Sequence, residues 1–102
     1  MHTLRYAPLA KHDLSEIVTY IAVDLHAPQA ALKLLKNIEE HIENLAEFPY
    51  AYPLHYSRAP LRDEFRKMPV ENYLVFYVVD GLTVEVRRVL YAGRNVEQLI
   101  DE

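Results

Sequence analysis

"NYLVFYVVDGLTVEVRRVLYAGRN", Asn72 to Asn95, reads as two strands joined by a tight turn, and its character changes along its length. It opens on Tyr, Leu, Val and Phe and ends among Arg87, Arg88, Tyr91 and Arg94. Asp80-Gly81 marks the turn, because both residues tolerate the positive φ that short hairpins require. A strand built only to fill a core has no need of those arginines and tyrosines, so something is expected to sit against that end.

Working outward, "LRDEFRKMPV" (Leu61 to Val70) is a third strand candidate, and with it the C-terminal half becomes an antiparallel meander. Before it, "FPYAYPLHYSRAP" holds three prolines and three tyrosines and reads as a loop. Further upstream, Ala31, Leu34, Leu35, Ile38, Ile42, Leu45 and Phe48 recur at helical steps, which predicts a helix over about Pro28 to Glu47. Lys33, Lys36, Glu40, Glu43 and Glu47 face away from that stripe and keep the opposite side solvated. Leu14, Ile17, Val18 and Ile21 do the same for a first helix over about Leu9 to Leu25, with Pro28 ending one helix and opening the next. "TLRY" (Thr3 to Tyr6) alternates and predicts a short strand.

The expected fold class is α+β: a short N-terminal strand, two antiparallel helices packed on a small antiparallel sheet, and a C-terminal three-strand meander. One domain spanning residues 1 to 102 is expected, since the length suits a single core and is too short for two. Alternation in "VEVRRVLY" puts Val84, Val86, Arg88 and Leu90 on one face and Glu85, Arg87, Val89 and Tyr91 on the other. The helices cover one face of the sheet and leave the other open, so at least one arginine is expected at a sheet edge or on the uncovered face.

With 51% apolar and 25% charged residues, the chain has the balance of a folded protein rather than a disordered one. It contains no cysteine, which excludes disulfides and thiolate metal sites. No secretory pattern opens the chain and no stretch approaches the roughly 18 apolar residues of a membrane span, so the expected location is the cytoplasm, with no membrane partner. The net charge of −4 is unevenly spread: residues 1–57 carry −3, residues 58–94 carry +2 and residues 95–102 carry −3. Such a split gives a weakly basic face on an acidic protein, poorly suited to strong non-specific nucleic-acid binding.

Arg62, Arg66 and Lys67 on one strand, with Arg87, Arg88 and Arg94 on and after another, are the candidate target- or phosphate-binding cations. Tyr73, Tyr91, Tyr56 and His55 are the candidate proton donors or stacking rings. The bland reading for Tyr73 and Tyr77 is packing within the sheet with the hydroxyls at its rim. The five histidines show no i, i+4 pairing with a carboxylate at catalytic spacing, so no zinc site or other cofactor is expected.

The order strand, two helices, proline-rich loop and three strands, together with "KHDLSEIVTYIA", "LAEFPYAYP", "LRDEFRKMPVENYLVFYVVD" and "VEVRRVLYAGRN", resembles the RelE/ParE superfamily of bacterial toxins. The resemblance covers nearly the whole chain. It implies a small cytoplasmic protein encoded beside an antitoxin that wraps it and blocks its working surface, with DNA contact only through that antitoxin. RelE-like members cut messenger RNA in the ribosomal A site, whereas ParE-like members lack nuclease activity and poison DNA gyrase. Lys67 and Arg94 match catalytic cations of the RelE type, but Leu74 stands where those enzymes carry an arginine, and the tail "NVEQLIDE" lacks their tyrosine. The expectation therefore leans towards a ParE-like gyrase inhibitor. The alternatives are a RelE-like, metal-independent endonuclease and a partner-binding relative that pairs through a sheet edge.

Overall fold

The computed structural model describes residues 1–56, 61 and 63–100. The chain runs through β1 (Thr3–Tyr6), α1 (Pro8–Thr19), a π-helical turn (Tyr20–Asp24), α2 (Pro28–Asn44), β2 (Arg66–Val70), β3 (Tyr73–Asp80), β4 (Thr83–Tyr91) and α3 (Val96–Leu99). The sheet has the order β1-β4-β3-β2. It is mixed rather than antiparallel throughout, because the helical hairpin carries the chain across the sheet and β1 ends up parallel to β4. The meander β2-β3-β4 is antiparallel as expected.

Both long helices start with proline at the first turn, where the missing N–H costs nothing. The first helix does not continue regularly to Leu25. It widens at Tyr20, with the Leu25 N–H donating to the Tyr20 carbonyl at 3.0 Å, and His26 takes a left-handed φ of 52° to let the chain reverse. The second helix ends at Asn44, three residues earlier than its periodicity suggests, and Phe48 from the expected stripe is exposed.

One core lies between the helices and the sheet, where Ala10, Leu14, Leu34, Ile38, Ile42 and Leu45 meet Met68, Val70, Val75, Tyr77, Val84, Val86 and Val89. Burying each large aliphatic of that set contributes about 1.5–3 kcal/mol. The second face of the sheet is not left open. Phe65, Phe76, Leu90 and Ile100 form a smaller core there, flanked by Leu74, Val78, Val96 and Leu99, with α3 as its lid.

Simple alternation fails in β4 because the register shifts: Phe76 faces Arg88, and Tyr77 faces Val86. Arg87 is thus the extra residue of a β-bulge, which swaps the faces of everything after it. Val84, Val86 and Val89 face the helices, whereas Arg88 and Leu90 belong to the other side. At the far end of the hairpin the turn residues are Gly81 and Leu82, with Asp80 still paired to Thr83, and the positive φ of 58° falls on Gly81 alone.

Tyr77 is fully buried, and its hydroxyl donates to the Pro49 carbonyl at 2.8 Å. Its phenol titrates above the ordinary value of 10.0, chiefly because burial penalises the tyrosinate, with Arg66 opposing the shift. Tyr6 and Tyr73 are raised for the same main reason. A raised folded-state pKa gives stability that is complete below the unfolded value and is lost as pH climbs through the folded one. The urea midpoint is therefore expected to fall above about pH 10. In Tyr77→Phe, which cannot ionise there, that fall should be shallower; equal slopes would show that Tyr77 does not contribute to it.

Candidate functional site

The residues singled out in the sequence go to three different places. Arg88 is buried: its Nε and Nη2 donate to the two carboxylate oxygens of Asp13 at 2.8 and 3.0 Å, and Nη1 donates to the Leu99 carbonyl at 2.6 Å. A guanidinium spent in this way ties α1 and α3 to β4 and is not presented to a target, which corrects its expected role. Arg87 lies 3.1 Å from Asp63 and 3.5 Å from Glu85, over the ring of Phe65. Arg66 donates to the Tyr52 carbonyl at 2.7 Å and sits over the Tyr50 ring, so it fastens the proline-rich loop. Arg62 lies outside the described residues.

These ion pairs line a cleft of about 570 Å³ near the β3-β4 turn, where Arg5, Arg66 and Arg87 face Asp63, Glu64, Asp80 and Glu85. Its charges are compensated internally, which is a poor arrangement for an anion. His55 is equally committed. Its side chain is 8% exposed, packs edge-on against Phe76 and brings Nε2 to 3.3 Å from Glu97, close enough for an ion pair but without hydrogen-bond geometry. His12 does pair one turn along with Glu16, at 3.0 Å, contrary to the sequence reading of the histidines, but both groups are well exposed. Among the described residues no group of three or more His, Cys, Asp or Glu is placed to hold a metal ion.

Lys67 and Arg94 make no side-chain hydrogen bond or ion pair among the described residues. They are not neighbours. Lys67 is level with Phe76 on the α3 side of the sheet, whereas Arg94 lines a groove on the helix side. Leu74, standing where the RelE type carries an arginine, packs against the α3-side core.

The groove beside Arg94 is the place where the end of β4 is open. It measures about 510 Å³, with Asp13, Glu16, Ile17 and Tyr20 along one wall and Tyr73, Val89, Tyr91 and Arg94 along the other. Tyr20 reaches it from the widened π-helical turn. The Tyr73 and Tyr91 rings meet edge to face at 5.8 Å. A Cβ on Gly93 would fall 2.5 Å from the Tyr91 ring, so glycine is required there for Tyr91 to fold back over the loop. Burial, with Tyr91, Tyr20 and Glu71 adding to it, raises the Tyr73 phenol above its ordinary value. Tyr73, Tyr91 and Arg94 are thus the predicted residues that the fold brings together in this groove, as Arg66 and Arg87 share the other cleft. The Asp13, Glu16, Ile17 and Tyr20 wall went unrecognised, although "DLSEIVTY" places those four on one side of a helix at three- and four-residue steps.

The chain is thus an α+β domain with a helical hairpin on one face of a meander and an aromatic groove at the sheet's end. A family model for the ParE toxin of the type II toxin-antitoxin system parDE matches residues 4–96, and the chain belongs to that family. A solved structure of the chromosomal ParDE toxin-antitoxin system from P. aeruginosa shares the fold, with a TM-score of 0.73 and 24% identity over 89% of this chain and 96% of that one. No curated protein matches the chain. Among the described residues no helix is long and apolar enough to cross a membrane.

Proposed function

We propose that the chain, acting as one domain in the cytoplasm, stops bacterial growth by inhibiting DNA gyrase and is held inactive by an antitoxin encoded beside it. Membership of the ParE toxins supports the toxin–antitoxin reading. The observation that favours gyrase over RNA cleavage is the disposition of the cations. Phosphoryl chemistry on RNA needs several positive groups and a base converging on one phosphate. Here Arg87 and Arg88 are consumed by Asp63, Glu85 and Asp13, and Lys67 and Arg94 are on opposite sides of the sheet. The sequence pI of about 5.7 also favours leaving DNA contact to the antitoxin.

Induction of the chain alone in a bacterial host is expected to arrest growth with loss of supercoiling or gyrase-linked DNA breaks and intact transcripts. New 5′ ends within translated codons, at unchanged supercoiling, would overturn the gyrase reading in favour of the ribosome-dependent nuclease. Arg94→Ala is expected to relieve the arrest with the fold retained, since an exposed side chain without partners contributes only about 0.5 kcal/mol to stability. Lys67→Ala should leave the arrest intact. Equal relief by both would point back to a shared RNA site.

A further inference from the structure

We propose that Asn37 is a positioning residue for the working end of the chain: it braces Glu71 and so fixes the β2-β3 turn, which sets where Tyr91 and Arg94 stand. This rests on the reading above that Arg94 carries the growth arrest. The turn is the two residues Glu71 and Asn72, between the paired Val70 and Tyr73. Glu71 has a left-handed φ of 53°, a conformation that suits Gly or Asn and is costly for a glutamate. What glutamate adds there is reach, for Asn37 Nδ2 donates to its Oε2 at 2.8 Å from α2. Asn37 is itself a firm support, because the next residue, Ile38, is 0% exposed in the main core. Backbone strain of this kind collects where a fold must hold a working part in place.

The turn matters because the end of β4 has little else to lean on. β1 runs beside β4 only from Thr83 to Val86, so past that point β4 is bonded to a neighbouring strand on one side alone. The last pair of that ladder is Tyr73 with Tyr91, and one residue further the Ala92 N–H donates to the Asn72 carbonyl at 2.9 Å. The Arg94 N–H closes a turn onto the Tyr91 carbonyl at 3.0 Å, and the chain is next gripped by α3 and the buried Ile100. Arg94 therefore hangs between two anchors, and the nearer is a carbonyl whose direction Glu71 sets. The bond between Asn37 and Glu71 lies at the surface, so it adds little to global stability and acts locally.

The test reverses the polarity of the pair in the full chain. Asn37→Asp sets two carboxylates against each other, and adding Glu71→Gln returns a donor to face the new acceptor. By residue-resolved amide exchange, Asn37→Asp should speed the Ala92 amide about 10-fold or more and leave the Ala7 amide, bonded to Val86, unchanged. In a bacterial host the same variant should fail to arrest growth at an inducer level where the unaltered chain does, and the double variant should restore both the arrest and the slow amide. Glu71→Gly separates position from stability: glycine suits a φ of 53°, so this variant should melt at or above the unaltered chain and still lose the arrest. Full arrest by Asn37→Asp, or a folded double variant that recovers neither readout, overturns the positioning role, while relief by Arg94→Ala keeps the Arg94 reading standing. Full arrest by Arg94→Ala, or none by the unaltered chain, overturns that reading and the role of Asn37 with it.

Discussion

Asp13→Ala is expected to cost about 3–5 kcal/mol of stability, the usual result of removing one partner from a buried ion pair. The Asp13 and Arg88 side chains are 8% and 7% exposed, so neither is rescued by solvent. Asp13 accepts two bonds from the guanidinium and a third from the Val89 N–H; its loss removes two bonds from a buried cation and orphans a backbone donor. Against a typical total of about 5–15 kcal/mol, that loss brings a domain of this size close to unfolding. Asp13→Asn, which keeps an acceptor but not the charge, should fall between. Replacing both residues at once, Asp13→Leu with Arg88→Met, should recover part of the loss, because no charge is then left buried, but not all of it, because the Val89 N–H remains orphaned. Urea unfolding of the four proteins measures this directly. A midpoint for Asp13→Ala within about 1 kcal/mol of the unaltered chain would mean that water or rearrangement replaces the carboxylate.

The same pair shows why the sequence reveals the architecture but not the site. Element order, the helical stripe of α2 and the meander follow from periodicities of 3.6 and 2, and these are properties of single segments. What periodicity cannot carry is a slip. The bulge at Arg87 reverses the faces of Arg88 to Tyr91, so counting by twos from Val84 puts Arg88 with Val84 and Val86 instead of level with Phe76, and no periodicity reports its partner Asp13, 75 residues away. The lid on the second face was legible in principle, since Val96, Leu99 and Ile100 stand at helical steps in a tail that reads otherwise as acidic. The groove is different again. Its tyrosines and Arg94 drew notice because they are unnecessary to a core, but their wall on α1 is an ordinary helix side until the end of β1 leaves β4 uncovered beside it.

A second large effect isolates burial from every other variable. Ile38→Asp and Leu32→Asp both place a carboxylate six residues apart on α2, with broadly similar changes in helix propensity and formal charge. Ile38 is 0% exposed within the main core, whereas Leu32 is 64% exposed. At Ile38 the chain loses about 1.5–3 kcal/mol of transfer energy and must also desolvate a carboxylate with no cation in the core to receive it. The combined cost exceeds the roughly 4–5 kcal/mol that marks an exceptional substitution, so the domain should be unfolded or unstable when purified. Leu32→Asp should stay within about 0.5 kcal/mol of the unaltered chain. Circular dichroism melts decide the matter, and growth assays give it meaning. Ile38→Asp should be harmless because no folded domain accumulates, whereas Leu32→Asp, remote in sequence from every groove residue, should still arrest growth. If Leu32→Asp melts normally and yet fails to arrest growth, the exposed side of α2 joins the working surface, and the groove alone no longer accounts for toxicity.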